Sequence, residues 1–244
     1  MRSVFRRLFQ NENEFSPEIR NSFLSASYQK HNVARLAHLE SLGLDMHAKT
    51  VFEFGAGVGD HTFYFLTKGC KVTASDSRPD LLRIIETRFG IQTMLIDIEH
   101  DLGKIKGLPH HDIFYCYGVL YHVSNPKEYI LSTAGKCELF LLETCVSHDF
   151  REQDAHLVTE DMKNPTQASS GIGCRPTREW IIKTMKLVFP YVYMPTTQPD
   201  HPEFPRDWSN PMEDRNQLIR AIFIGSVKPV LSPLLTEDMV KIYA

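Results

Sequence analysis

Between residues 50 and 143 the chain alternates short apolar runs with segments of helical periodicity. Strand-like apolar runs lie at 50–54, 71–75, 92–96, 112–117 and 138–143. Helical patterns separate them at about 59–67, from Pro79 to Gly90 and from Pro126 onward. Because buried parallel strands appear as apolar runs separated by helices, this alternation predicts a doubly wound parallel sheet.

Weaker patterns flank this region on both sides. Ser16-Pro17-Glu18 combines an N-cap residue, a proline at the first position and an early acid, so it predicts a helix over 17–42. A helix begins at Thr177, and two further strands are predicted at 190–194 and 219–226. The fold class predicted from these patterns is therefore α/β, with a doubly wound, mostly parallel seven-stranded sheet.

The same patterns divide the chain into three parts. We predict an N-terminal helical segment, a main domain and a C-terminal tail, at 1–47, 48–230 and 231–244. Residues 144–176 and 195–211 are irregular, and the second stretch contains five prolines. Long loops in a compact domain are more often functional than accidental, so both are predicted to be substrate loops.

A glycine-rich turn follows the first predicted strand. Residues 51–60 read Val-Phe-Glu-Phe-Gly-Ala-Gly-Val-Gly-Asp, so Gly55, Gly57 and Gly59 alternate at the end of the strand. A dinucleotide fingerprint would read G-x-G-x-x-G and leave the helix N-terminus free for a pyrophosphate. Here Glu53 precedes the turn and Asp60 follows it, so the turn favours a ligand that carries positive charge.

Two further acids end the next strands. Asp76 follows the second strand, 21 residues after Gly55, and Asp97 follows the third. Ligands of doubly wound sheets bind beyond the carboxyl ends of the strands, and an acid about 20 residues after the glycine turn binds ribose hydroxyls. Charged acceptors form the stronger hydrogen bonds, which suits this role.

Composition narrows the function classes. The 244 residues suffice for one domain, and a net charge of −3 with a pI of about 6.4 gives no basic surplus for nucleic acid. Five cysteines without a C-x-x-C pair indicate reduced thiols and a cytoplasmic protein.

The apolar run in residues 1–10 is too short to span a membrane, and it favours a helix packed on its own domain or a frayed terminus. His110-His111 has no carboxylates at ligand spacing, so no metal is predicted.

These motifs resemble those of class I S-adenosylmethionine (SAM)-dependent methyltransferases, which have a Rossmann-like fold. The resemblance covers residues 48–145 and extends loosely to 226. It implies that the glycine turn passes under the methionine part of SAM, that Asp76 binds the ribose, and that Asp97 reaches the adenine. The cofactor-binding residues that it implies are Glu53, Gly55, Ala56, Gly57, Gly59, Asp76, Ser77, Asp97, Ile98 and Tyr117.

The segment after the fourth strand indicates which branch of this family the chain resembles. Gly118-Val119-Leu120-Tyr121-His122, with Asn125-Pro126, looks like the tRNA uridine carboxymethyltransferase branch and related sugar or small-molecule O-methyltransferases. The chain departs from the tRNA enzymes at Val123, where they carry a basic residue, and it is shorter than they are. It also lacks the Asn-Pro-Pro-Tyr tetrapeptide, which counts against N-methylation of a base.

Three residues are candidates for catalysis. Methyl transfer to a hydroxyl needs positioning and removal of the acceptor's proton. His122 is the first candidate base because histidine titrates near neutral pH. Tyr121 is a candidate for orienting the acceptor, and Glu143, at the end of the fifth strand, is an alternative base. A purely structural role stays open for each of the three.

Candidate acceptor-binding residues lie in the two long loops and at a helix start; they are His148, Arg175, Arg178 and His201. The leading hypothesis is SAM-dependent O-methylation of a small molecule or a glycan. Modification of tRNA or another nucleic acid, and a domain that binds the cofactor without catalysis, stay open as alternatives. A nicotinamide-dependent oxidoreductase is the weakest, because the third glycine is misplaced for a pyrophosphate. The oligomeric state stays open.

Overall fold

The computed structural model describes residues 15–148, 155–164, 166–168, 170–209 and 218–243. The segment 1–10 and parts of both long loops therefore lie outside the described residues. Within the described residues no helix combines the length and apolar character needed to cross a bilayer.

Helices and strands alternate through the first part of the chain, in keeping with the sequence pattern. The helices are α1 (Pro17–Phe23), α2 (Ala26–Ser41), α3 (Asp60–Thr67), α4 (Pro79–Phe89), α5 (Leu102–Lys106), α6 (Pro126–Ser132) and α7 (Arg178–Met185). The strands are β1 (Thr50–Phe54), β2 (Lys71–Asp76), β3 (Thr93–Leu95), β4 (His111–Tyr117), β5 (Cys137–Val146), β6 (His156–Thr159), β7 (Ile172–Arg175), β8 (Tyr191–Pro195), β9 (Ile219–Ser226) and β10 (Leu235–Thr236).

One large sheet forms the centre of the fold, with the strand order β10-β8-β9-β5-β4-β1-β2-β3. Strands β1 to β5 pair in parallel, whereas β9 runs antiparallel to β5 and to β8. The predicted mostly parallel, doubly wound sheet is confirmed. The seven predicted strands are joined by β10, a two-residue edge strand that pairs antiparallel with β8.

Each face of the sheet buries its own set of side chains. Along β1 and β4, Phe52, Phe54 and Phe114 enter one apolar cluster, while Val51 and Ile113 enter another. Neighbouring strand residues point to opposite faces, so one five-residue strand contributes to two layers. Helices cover both faces, which fixes the strand ends as the accessible edge of the sheet.

The structure corrects the predicted helix over 17–42, which is two helices. The break falls at Leu24 and Ser25, where the Ser25 backbone is extended and its hydroxyl accepts a hydrogen bond from the Tyr28 amide at 3.3 Å. Serine at an N-cap begins a new helix in this way. As a result, α1 packs Ile19 and Phe23 against Val58 in the glycine turn.

The end of the chain packs on the same sheet and apolar core as the rest of the protein. Within the region predicted as a tail, β10 pairs with β8, and Tyr243 is buried in the main apolar cluster. The region predicted as a loop at 144–176 contains the β6–β7 hairpin, which pairs His156 with Arg175 at its open end. The three-part division of the chain remains a prediction.

Candidate active site

A cleft opens beyond the carboxyl ends of β1, β2, β3 and β4, as expected for a doubly wound sheet. It holds about 860 Å³ of space between protein atoms, part of it open to solvent. The predicted site residues that line it are Gly55, Gly57, Asp76, Ser77, Asp97, Ile98, Tyr117, Tyr121 and His122.

The glycine turn forms the floor of the cleft, and close packing explains two of its glycines. Gly57 has φ +57°, and a Cβ there would lie 2.8 Å from the Phe23 ring. Gly59 has φ +87°, and a Cβ there would lie 2.5 Å from the Phe89 ring of α4. Gly59 caps α3 and is not among the residues that line the cleft, so packing on α4 explains it better than a cofactor contact.

The start of α3 is unsuited to a phosphate. Asp60 occupies the first turn, and its Oδ2 accepts hydrogen bonds from the side chains of Gln29 at 2.7 Å and Asn32 at 3.1 Å. A carboxylate already complements the positive end of the helix dipole. The exclusion of a pyrophosphate at this turn, drawn from the sequence, therefore agrees with the geometry.

Asp76 lies at the end of β2, facing the glycine turn. One of its carboxylate oxygens accepts the Gly57 amide at 3.0 Å, and the other accepts the Arg78 amide at 3.0 Å. Burial raises the pKa of Asp76 to about 6, although both amide hydrogen bonds act in the opposite direction. The carboxylate is thus held by backbone donors at the wall of the cleft, where its remaining lone pairs can accept from a ligand.

A second recess adjoins the cleft and shares Gly55, Tyr117 and Arg35 with it. Glu53 and Ala56 line this recess rather than the main cleft. Burial raises the pKa of Glu53 to about 8, and the Thr62 hydroxyl donates to its Oε2 at 2.5 Å. Glu53 is 2% exposed, so its contact with a ligand is restricted to the recess.

His122 and Tyr121 line the same cleft as Asp76 and Asp97, on a short 3₁₀ turn at Leu120–His122. The Nδ1 atom of His122 forms a short hydrogen bond with Glu160 Oε2. Burial lowers the pKa of His122, and Arg220 and Arg175 lower it further, whereas Glu160 raises it. The net direction is downward, so the imidazole is neutral at neutral pH and can accept a proton.

Tyr121 is held by arginine. Arg220 donates from Nη2 to the Tyr121 hydroxyl at 3.1 Å, and its guanidinium carbon lies 4.8 Å from the ring centroid. Burial raises the pKa of Tyr121. A neutral phenol that already accepts from a guanidinium can orient an acceptor by hydrogen bonding, but it is a poor proton acceptor.

Glu143 lies beneath the cleft between two arginines. Arg35 donates to one of its carboxylate oxygens at 2.9 Å, and Arg220 donates to the other at 3.0 Å. Its side chain is 0% exposed. Since both oxygens are engaged by cations, Glu143 is better suited to hold Arg35 and Arg220 in place than to remove a proton.

The predicted acceptor-binding residues occupy other positions. Arg175 lies behind the wall, donating to the Tyr121 carbonyl at 3.2 Å and to Glu160 at 3.3 Å. The His201 ring lies 4.7 Å from the ring of His31, which does line the cleft. His148 is not among the residues that line it.

The structure corrects the placement of Arg178. It lies over the Trp208 ring at 3.9 Å and donates to the Val240 carbonyl at 2.6 Å. It therefore fixes the chain end against α7, away from the cleft.

Several cleft residues were missed at the sequence level; they include Tyr28, His31, Arg35, Arg78, Gln167 and Arg220. Arg220 had a detectable signal, since it is the one charge in the apolar strand Ile219–Ser226. Glu160, which contacts His122, comes from the irregular region, where no periodicity marks it.

No protein-family model and no curated protein sequence matches this chain. Among solved structures, the N-terminal domain of EvdMO1 with SAH bound is similar at 17% identity, covering 93% of this chain and 95% of that one, with a TM-score of 0.62. The same domain in the presence of SAH and D-fucose gives a TM-score of 0.61 at 17% identity, covering 84% and 85%.

A SAM-dependent methyltransferase from Archaeoglobus fulgidus is similar at 13% identity, with a TM-score of 0.55 and coverage of 85% and 97%. At these identities the likeness establishes the fold. The chain has the Rossmann-like fold of class I SAM-dependent methyltransferases, which confirms the fold predicted from its motifs.

Proposed function

We propose that this protein is a SAM-dependent methyltransferase that methylates a hydroxyl of a small molecule, with a sugar or glycan as the leading acceptor class. One observation carries the proposal: the glycine turn, Asp76 and Asp97 line the same cleft as Tyr121 and His122. Groups suited to the donor and a neutral histidine thus line one cleft.

The residues present fit the cofactor. Asp76 lies where vicinal ribose hydroxyls would be accepted, and Asp97 and Ile98 lie at the next strand end, suited to the adenine. The Asp76 carboxylate beside the turn suits a cationic sulfonium better than a phosphate. When bound, SAM supplies an activated methyl group, so the protein needs to orient the acceptor and remove its proton.

His122 is the residue that we assign to the proton. As the C–O bond to the methyl group forms and the C–S bond breaks, the hydroxyl proton passes to the imidazole. Tyr121, fixed by Arg220, is placed to orient the acceptor oxygen. One structural neighbour was crystallised in the presence of SAH and D-fucose, which makes deoxyhexoses reasonable first acceptors to test.

Isothermal titration with S-adenosylhomocysteine (SAH) tests the proposal directly. We expect binding at one site per chain with a micromolar Kd. Absence of heat and of thermal stabilisation at millimolar SAH would remove the methyltransferase assignment. If SAH binds, a screen of sugars and small hydroxylated compounds for SAH release then tests the acceptor class.

Asp76→Ala should weaken SAH binding by about 1.5–3 kcal/mol, because a charged acceptor for the ribose hydroxyls is lost. This corresponds to roughly a 10- to 150-fold rise in Kd, measured by the same titration. Asp80→Ala is the matched control, since Asp80 is an exposed acid at the start of α4. Because Asp76 also binds two backbone amides, Asp76→Asn provides a variant that disturbs the turn less. An unchanged Kd in both Asp76 variants would mean that the ribose lies elsewhere.

A further inference from the structure

We propose that Glu160 is a positioning residue for His122, fixing the proton of the imidazole on Nδ1 so that Nε2 is the nitrogen that receives the acceptor's proton. The proposal rests on the function proposed above and adds a residue from the β6–β7 hairpin to the catalytic arrangement. Glu160 follows β6 in the irregular region 144–176, where no periodicity or motif singles it out.

The carboxylate of Glu160 is held on several sides. Its Oε2 contacts His122 Nδ1 and accepts the Ala168 amide at 2.8 Å. Its Oε1 accepts from Arg175 Nη2 at 3.3 Å. The side chain is 5% exposed. Groups fixed in this way hold the ring that they contact in one orientation.

The hairpin backbone also leaves space for this carboxylate. A Cβ on Gly173 would lie 2.5 Å from Glu160 Oε1 and 2.4 Å from the Tyr121 carbonyl oxygen. Any other residue at 173 would therefore displace either the carboxylate or the turn that carries His122. This glycine is explained by the approach of β7 to the His122–Glu160 pair.

The chemistry of imidazole sets the tautomer. A neutral imidazole has one N–H donor and one acceptor nitrogen, and an ionised carboxylate only accepts. Burial alone would raise the pKa of Glu160, but the His122 hydrogen bond and charge, the Ala168 amide and Arg175 together lower it, so the group is ionised. Nδ1 of His122 must then carry the hydrogen, and the lone pair is on Nε2. Since His122 lines the cleft, Nε2 is the nitrogen available to an acceptor.

The charges around His122 give Glu160 a second effect. The groups that face the ring are Glu160, Arg175, Arg220 and Tyr121. Burial and the two arginines lower the pKa of His122, and Glu160 is the acid that opposes them. Without Glu160 the imidazole would be a weaker base and free to adopt either tautomer.

The same hairpin forms part of the cleft wall. Arg78, beside Asp76, donates to the carbonyl oxygens of Asn164 at 3.2 Å and Met162 at 3.4 Å, and Gln167 lines the cleft. One element therefore covers the proposed donor side and supplies the partner of the base. A hairpin displaced from the cleft would leave His122 without its carboxylate.

Nitrogen-15 NMR of labelled histidine tests the proposal without any turnover. The chain has eleven histidines, so the His122 signals are assigned by their absence in His122→Gln. In the unmodified protein we expect His122 in the Nδ1–H tautomer above its pKa. In Glu160→Gln we expect a lower His122 pKa and a mixture of tautomers. Glu160→Asp keeps the charge but shortens the reach, so it should give an intermediate result.

Activity provides the second readout. Glu160→Gln should lower kcat by roughly 10- to 100-fold, a fraction of the effect of losing the base itself, with little change in KM. Since a lower His122 pKa keeps the imidazole neutral in more acidic solution, the acid limb of the kcat profile should move to lower pH. The matched control is Asp161→Asn, which alters an exposed hairpin acid that accepts the Lys163 amide. It should leave the tautomer and the pH profile unchanged.

Two results would overturn the proposal. One is an Nε2–H tautomer of His122 in the unmodified protein, which needs no Glu160 variant to fold. The other is an unchanged His122 pKa and tautomer in a folded Glu160→Gln protein. Failure of the unmodified protein to bind SAH would instead contradict the proposed function, so the two failures are distinguishable.

Discussion

Replacing His122 with alanine should lower kcat by roughly 100- to 10,000-fold while leaving the Kd for SAH within about twofold, the usual contribution of a general base. His122 lines the cleft but belongs neither to the glycine turn nor to the strand-end acids, so its loss should remove the proton acceptor and spare the donor contacts. End-point assays of SAH release measure kcat, and calorimetry with SAH measures the Kd. The comparison requires an acceptor identified by the screen above.

The pH dependence adds a check on the same assignment. A base must be unprotonated to act, so activity should fall as the pH is lowered through the His122 pKa, which lies below its ordinary value of 6.5. In His122→Ala this limb should disappear. His156→Ala is the control, because His156 is an exposed histidine on β6 of the same hairpin. Wild-type activity in His122→Ala would assign the proton to solvent or to another group.

The central sheet could be predicted because its signals are local. Strand β1 begins and ends where the sequence predicted. β2 ends at Asp76 and α4 ends just before Gly90, and both residues directly follow the apolar or helical pattern from which the element was predicted. The order of residues along the chain therefore carried enough information to place the glycine turn and the strand-end acids on one edge. That edge is the cofactor half of the candidate site.

The partners of His122, Tyr121 and Glu143 could not be predicted, because their contacts join distant parts of the chain. Arg35 and Arg220 meet Glu143 across 108 and 77 positions. Glu160 reaches His122 across 38 positions from a region without periodicity. Arg178, at the start of α7, had the right chemistry for an acceptor, but its position depends on how the chain end packs, which no local pattern encodes.

For Glu143 the sequence predicted the location of the side chain near the cleft but not its contacts. The sequence placed it on the fifth strand as a candidate base, although β5 continues past it to Val146. In the structure two guanidinium groups occupy its oxygens, which changes the expected consequence of replacing it. The main effect should be on stability.

Glu143→Gln should lower the free energy of unfolding by about 3–5 kcal/mol, the usual cost of removing one partner from a buried ion pair. Glutamine keeps the shape of the side chain, so no cavity contributes. Arg35 remains buried with its charge, and burial opposes that charge while Glu143 is the leading group that raises the Arg35 pKa. Urea denaturation monitored by circular dichroism measures the change.

Glu138→Gln on the same strand is the matched control. Glu138 lies 3.0 Å from Lys228 and its side chain is 39% exposed, so its replacement should cost no more than about 1 kcal/mol. If the free energy of unfolding falls no more in Glu143→Gln than in Glu138→Gln, the charges of the two arginines are balanced by groups other than Glu143. Glu203, which accepts from Arg220 Nε at 2.5 Å, would then be the main partner of Arg220. In that case Glu203→Gln should lower the free energy of unfolding by the amount expected of Glu143→Gln. Arg35 has no comparable second carboxylate among its described hydrogen bonds, which is why Glu143 is expected to carry the larger share.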